Sequence, residues 1–193
     1  MALVVVGGQT KNVGKTTLIC NIIAAFPQVR WTAVKISNHA HVPEDCERVK
    51  AGAGWTIWQQ SPTNDHSDTA RFLRSGAERG LLILHAGKPS LREACAGLAL
   101  DCSAGGVIVE SASAAKFLDH DLLLMLLDSA QEDLKESARR QFDRADAFLL
   151  RNPDLAVNAR VGRKNQKPIF TAFPDSLDRG LRSMLEAKLA GYG

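Results

Sequence analysis

The stretch Gly7-Gly8-Gln9-Thr10-Lys11-Asn12-Val13-Gly14-Lys15-Thr16-Thr17 sets a glycine, a lysine and two threonines in a row behind a short polar loop. Those groups can hold a phosphate chain. A glycine lets backbone N–H groups approach phosphate oxygens, a lysine reaches the β- and γ-phosphates as a point charge, and a hydroxyl at a helix start can ligate Mg²⁺. The helix N-terminus adds unpaired N–H groups and a partial positive charge. The general pattern is G-x-x-x-x-G-K-[ST]. Counting back from Gly14, Lys15 and Thr16, its first glycine falls on position 9, where this chain has Gln9; the nearest glycine is Gly8. The expectation is that the shift alters the entry to the loop and spares its phosphate-facing half, Lys11 to Thr17. Gln9 could add its side-chain amide there. Gly8, Lys11, Asn12, Val13, Gly14, Lys15, Thr16 and Thr17 are the candidate ligand-binding residues, and Thr16 is also a candidate metal ligand.

Lys11 stands four residues before Lys15. Two ammonium groups beside one phosphate repel unless an anion screens both. Lys11 therefore contacts the same triphosphate, serves that of a partner subunit in a homodimer, or is a solvent-facing loop lysine.

These groups need a scaffold. Ala2–Val6 is a continuous apolar run closed by glycine and reads as a buried strand, and Thr16–Phe26 carries Leu18, Ile19, Ile22, Ile23 and Phe26 at helical spacing before Pro27. Trp31–Ile36 is a second strand. Ser37–Lys50 reads as a polar stretch without an element of its own, followed by a short strand, Trp55–Gln60, one arm of a hairpin or loop excursion within 38–66. A helix begins near Ser67, capped by Ser67 or Asp68. Leu81–Leu84, Val107–Val109, Asp121–Leu127, Ala147–Leu150 and Pro168–Ala172 read as strands; Ser90–Leu100, Glu132–Phe142 and Asp175–Leu189 read as helices. Strands apolar on both faces, alternating with helices, imply one α/β domain over 1–193 with a mostly parallel sheet of about seven strands and helices on both faces.

In such sheets ligands bind beyond the carboxyl ends of the strands, at a switch in strand order. That rule adds Lys35–Ser37, His85, Glu110, Asp128 and Asn152 to the loop as candidates. Glu110 ends a buried strand, where it holds Mg²⁺, orients an attacking water, or is a paired loop carboxylate. With Lys15 and Lys11 it makes up the candidate catalytic set. His39 and His41 alternate along an extended chain but have no evident third ligand, so they read as polar residues near a ligand mouth. Asn152 precedes Pro153 and also fits an Asn-Pro turn.

The chain of 193 residues is 45% hydrophobic and 23% charged, with a net charge of +3. That excess is too small to argue for a nucleic-acid partner. The four cysteines match no metal-binding spacing, and the sequence shows neither a secretory leader nor an apolar run long enough for a membrane span. A cytoplasmic protein with reduced thiols is expected.

Lys11 and Lys15 sit as the two lysines do in the K-G-G-x-G-K-[ST] loop of SIMIBI-class P-loop NTPases. The chain also resembles MobB, the adaptor family of molybdopterin-guanine dinucleotide biosynthesis, through GKTTL, VKISNHAH, SDTARFLRSGA and VIVES. It departs at Ser111, at the displaced glycine and beyond Asp119. The resemblance implies a P-loop NTPase fold and binding of GTP or ATP with Mg²⁺. It implies that Asp68 lies near the nucleotide and joins Thr16 and Glu110 as a candidate metal ligand, although a plain helix cap explains Asp68 equally well. Lys35 resembles a lysine at the same strand end in the related dethiobiotin synthetases, near the phosphates. Asn152 matches an asparagine used on the base in nucleotide-binding relatives. The implied function is a slow NTP hydrolase or adaptor in molybdenum-cofactor assembly, working with a pterin cofactor or partner enzyme. The alternatives are an ATP-dependent small-molecule kinase or ligase of the dethiobiotin-synthetase type, with a second-substrate pocket lined by Ser37–Ser61, and a binding module that hydrolyses nothing.

Overall fold

The computed structural model describes residues 1–38, 41–63, 65–99, 105–130, 135–151 and 166–190. Its strands are β1 (Ala2–Gly8), β2 (Trp31–Ser37), β3 (Cys46–Gly52), β4 (Trp55–Gln60), β5 (Arg79–His85), β6 (Gly106–Glu110), β7 (Leu122–Asp128), β8 (Ala147–Arg151) and β9 (Ile169–Thr171). Its helices are α1 (Lys15–Ala25), α2 (Asp68–Arg74), α3 (Lys88–Ala99), the single turn α4 (Glu136–Arg139) and α5 (Arg179–Leu189). The strands form one sheet in the order β3-β4-β5-β2-β6-β1-β7-β8-β9. From β5 to β9 every neighbouring pair is parallel, whereas β3–β4 and β4–β5 are antiparallel.

Side chains alternate across a strand, so a strand covered on both faces must be apolar at every position. β1 shows this directly. Leu3 and Val5 join a core on one face with Leu91, Ala94, Cys95 and Leu98 of α3. Ala2, Val4 and Val6 join a core on the other with Leu18, Ile19, Ile22 and Ile23 of α1 and Leu181, Leu185 and Leu189 of α5. No helix among the described residues is long and apolar enough to cross a membrane.

Three expectations need correction. The sheet has nine strands, because Ser37–Lys50 is not without structure. Cys46–Gly52 pairs with β4, with an irregularity between Arg48 and Lys50. Its residues alternate poorly because it is an exposed edge, where charged side chains discourage pairing with other chains. The helix expected over Glu132–Phe142 begins, among the described residues, only at Glu136. Lys135 is extended, with φ −53° and ψ 145°, and its N–H donates to the Gln9 carbonyl at 3.1 Å, which pins the chain in a non-helical conformation. The last helix starts at Arg179 and not at Asp175. Asp178 caps it, its Oδ1 accepting from the N–H groups of Gly180 and Leu181 at 2.8 and 3.3 Å.

The sheet order reverses at β1. The chain leaves β1 for β2 and β5 on one side, returns to β6 between β2 and β1, and crosses to β7 on the other side. Such a switch opens a crevice beyond the strand ends. The loop after β1 lies there, beside the ends of β6 and β7.

Candidate functional site

Gly14 caps α1 at φ 105°, a left-handed conformation that costs glycine little. Asn12 also takes a positive φ, 59°. Asn12 is among the residue types that tolerate that region best. The two residues turn the chain from β1 into the N-terminus of α1. Gly8 has a packing reason of its own. A Cβ there would lie 2.7 Å from Val13 Cγ1 and 2.9 Å from Lys15 Cδ. The absent side chain thus leaves room for the Lys15 stem to fold back across the end of β1.

The side-chain oxygen of Gln9 is turned to β7. The residue is 6% exposed, and its Oε1 accepts the N–H of Asp128 at 2.9 Å. Its backbone N–H donates to the Leu126 carbonyl at 2.9 Å. The residue at the displaced glycine position braces the loop against the end of β7. Val13 is likewise a core residue, 3% exposed, so its side chain packs under the loop and does not line the cleft.

The cleft beyond the strand ends measures about 650 Å³. Gly8, Lys11, Asn12, Gly14, Lys15, Thr16 and Thr17 line it, together with Lys35, Asp68 and Glu110. Asn152 and His39 fall outside the described residues. Residues not singled out from the sequence also reach the cleft, chiefly Arg71, Ser111, Ser137 and Lys135. Arg71 stands three positions after Asp68, a helical spacing that would have placed it on the same face. Nothing local marks Lys135. Among the described residues of the lining, Lys11, Lys15, Lys35, Arg71 and Lys135 stand with two carboxylates, Asp68 and Glu110, an excess of positive charge suited to an anion.

A polar network forms one wall. Glu110 is the register partner of Val6 on β1 and of Lys35 on β2. Its side chain is 2% exposed. One carboxylate oxygen accepts from Thr16 Oγ1 at 2.8 Å and the other from Lys35 Nζ at 2.5 Å. Lys35 Nζ also lies 2.8 Å from Asp68 Oδ2. Asp68 does not cap α2: Ser67 Oγ does, accepting from the Ala70 N–H at 3.3 Å. Asp68, in the first helical turn, is left to face Lys35. Arg71 then reaches from α2 to α1, donating to Thr17 Oγ1 at 3.1 Å.

Burial and charge act in opposite directions on these groups. Burial alone would lower the Lys35 ammonium, but Glu110 and Asp68 together raise it above the ordinary lysine range. Burial alone would raise the Asp68 carboxyl, but hydrogen bonds from Lys35 and Thr16 and the charge of Arg71 hold it below the usual carboxylate range. Lys15 is pushed down, first by burial; attraction to Glu110 opposes this, and repulsion from Lys35 and Lys135 adds to it. Its Nζ donates to the Thr10 carbonyl at 3.0 Å. Lys15 is therefore a cation with incomplete compensation at the mouth of a helix.

The Lys35→Met variant strips the nearly buried Glu110 of its cation while keeping the length of the apolar stem. It is expected to lose about 3 kcal/mol of stability, the low end for breaking a buried pair because Lys35 keeps some solvent access. In a thermal melt this is a fall of roughly 6–12 °C for a chain of this size. A change of less than a degree would show that Thr16 alone satisfies Glu110.

Neither a protein-family model nor a curated protein sequence matches the chain. Solved structures do. HypB from Helicobacter pylori in complex with nickel aligns over 100% of this chain and 89% of its own, at 16% identity and a TM-score of 0.63. LpxK from Aquifex aeolicus in complex with ATP aligns over 90% of this chain at 17% identity and a TM-score of 0.53. This chain covers 54% of LpxK, about half its length. At these identities the likeness shows the fold alone. The chain has the P-loop NTPase fold.

Proposed function

We propose that this protein binds GTP or ATP with Mg²⁺ in the cleft after β1 and hydrolyses the triphosphate slowly. The observation that carries the reading is the meeting of Thr16, Glu110, Lys35 and Asp68 beside the start of α1. The donors suit Mg²⁺. Among the described residues no cluster of three or more His, Cys, Asp or Glu could form a closed metal cage. Mg²⁺ needs none, because it is held by one or two carboxylates and the substrate phosphates, and it keeps several waters. Thr16, Glu110 and Asp68 would hold it. When bound, the ion neutralises charge on the β- and γ-phosphates and on the leaving group.

The chain's own residues do the rest. The N–H groups at the start of α1 receive phosphate oxygens. Lys15 exchanges the Thr10 carbonyl for phosphate oxygens and regains the compensation that burial withholds. Lys35, relieved of one carboxylate, turns its ammonium toward the γ-phosphate. Lys11 lines the mouth and contacts the same triphosphate.

Calorimetric titration with ATP and GTP, each with and without MgCl₂, tests the reading. Binding is expected with either nucleotide and to tighten at least about tenfold, ~1.4 kcal/mol, with the ion. No heat with any triphosphate would remove the proposal. Lys11→Ala is expected to slow phosphate release about tenfold, the loss of one charged contact. A rate that also depends on protein concentration would assign Lys11 to a partner subunit of a homodimer; an unchanged rate would make it a spectator.

A place in molybdenum-cofactor assembly, with a pterin or partner enzyme, is supported by the sequence resemblance alone. A second reading, nucleotide-dependent transfer to a small molecule, has a structural observation in its favour. A smaller cavity of about 280 Å³ adjoins the first, and Asn38, His85, Ser113 and Ser137 line both. It lies between the start of α3 and α4; among the described residues of Ser37–Ser61, Asn38 alone lines it.

A further inference from the structure

We infer that Lys35 plugs the metal site of the nucleotide-free protein and yields it only to an ion that arrives with a triphosphate; this rests on the nucleotide reading above. Strand register sets the plug. Lys35 and Glu110 are partners on neighbouring parallel strands, so their side chains leave the same face of the sheet side by side. Lys35 Nζ lies 2.5 Å from Glu110 Oε1 and 2.8 Å from Asp68 Oδ2. The ammonium thus spans the two carboxylates that would ligate the ion. It is a point charge on a flexible stem, so it can be exchanged without breaking a bidentate pair.

The remaining oxygens are guarded too. The Glu110 side chain is 2% exposed, and its second oxygen accepts from Thr16 Oγ1 at 2.8 Å. Asp68 is more open, but Arg71 Nη1 stands 4.0 Å from its Oδ1. An ion from solvent finds both oxygens of Glu110 engaged and a cation beside each oxygen of Asp68. Mg²⁺ sits about 2.0–2.1 Å from its oxygen ligands. An ion that close to Glu110 Oε1, which Nζ approaches at 2.5 Å, could be no farther than about 4.6 Å from Nζ. At that range, in a site with little water, the two cations repel strongly. Ion and ammonium exclude each other.

Lys35 leaves only if another anion receives it. Its side chain is 25% exposed, so an ammonium lifted off both carboxylates would stand largely buried and uncompensated. The γ-phosphate supplies that charge, and a nucleoside diphosphate has none to offer. Lys35 therefore opens the site for an ion that comes with the triphosphate. Once the γ-phosphate has been cleaved and lost, Lys35 returns to Glu110 and Asp68 and closes the site again. It is a specificity-determining residue that ties the metal to the third phosphate.

The test titrates the full chain with Mn²⁺, the free ion being read from its EPR signal. Calorimetry follows ATP, ADP, GTP and GDP with and without MgCl₂. Nucleotide-free wild type is expected to bind Mn²⁺ at least about tenfold more weakly than Lys35→Met. Mn²⁺ is expected to raise the Tm of the variant and leave that of the wild type in place. Combining Lys35→Met with Glu110→Gln should remove the gain, which assigns the ion to Glu110. In the wild type MgCl₂ is expected to tighten the triphosphate about tenfold and the diphosphate less than about twofold. In Lys35→Met it should tighten both alike. Lys35→Gln serves the same comparison should the methionine variant not fold. Equal Mn²⁺ affinity in wild type and variant would overturn the plug, while triphosphate binding by the same preparation would keep the nucleotide reading. Equal tightening of both nucleotides in the wild type would overturn the link to the third phosphate. Binding of no nucleotide would overturn that link together with the reading beneath it, and tighter Mn²⁺ in the variant would then keep Lys35 as the plug of a bare metal site.

Discussion

Lys15→Ala is expected to weaken triphosphate binding by at least about 100-fold, ~2.8 kcal/mol, without unfolding the protein. The lysine is half-buried at the N-terminus of α1 and leans on one neutral carbonyl, that of Thr10, at 3.0 Å. Its ammonium is disfavoured there by burial, which attraction to Glu110 offsets only in part, and by two other lysines. A bound triphosphate supplies the missing negative charge, so the contact strengthens on binding and its loss falls on affinity. The same reasoning gives an opposite sign for stability. Removing a half-buried, partly compensated charge relieves the ligand-free protein, so its Tm is expected to hold or rise. Calorimetry and a thermal melt on one preparation read both. Wild-type affinity in the variant would refute the phosphate cradle, and a large fall in Tm would make Lys15 a structural residue.

The second large effect is expected at Glu110. Glu110→Gln keeps the shape and one acceptor for Thr16 but removes the charge. Changes at metal-supporting carboxylates typically cost about 10–100-fold in metal affinity or activity. Mg²⁺-dependent turnover should fall within that range, while affinity for the nucleotide measured without Mg²⁺ should move by less than about threefold, ~0.6 kcal/mol. The contrast between the two numbers carries the meaning. A structural carboxylate would lower stability and leave turnover alone. A carboxylate that only holds Lys35 would shift nucleotide affinity as much as turnover, because Lys35 would then be misplaced in both.

The comparison of Lys35→Met with Glu110→Gln separates these roles further. The first leaves an acid buried without its cation. The second leaves Lys35 with Asp68 at 2.8 Å, so the ammonium keeps a partner. The stability loss should therefore be larger for the lysine variant, even though the turnover loss is larger for the glutamate one.

Much of this protein is written in local patterns. The glycine-lysine-threonine run and the apolar run before it predict a phosphate-facing turn between a strand and a helix, and both elements form, at Ala2–Gly8 and Lys15–Ala25. Strands apolar on both faces predict a parallel sheet covered on both sides. The strand, the helix and the α/β class form as read, because period, capping and turn chemistry act over a few residues. What the sequence left open depends on which strands become neighbours. Lys35 and Glu110 are 75 residues apart in the chain and meet because β2 and β6 lie side by side in register. Asp68 is a helix-start acid whose role hinges on Ser67 taking the cap. Gln9, which could have added its amide to the loop, has its Oε1 taken by the N–H of Asp128, at the end of a strand 119 positions away. The edge strand Cys46–Gly52 lacks a pattern because solvent, not a core, faces it. Sequence alone determined the strand, loop and helix proposed as the cradle, and the α/β class. Only the tertiary structure decided the company the cradle keeps, since strand order is a long-range choice that no short window of residues encodes.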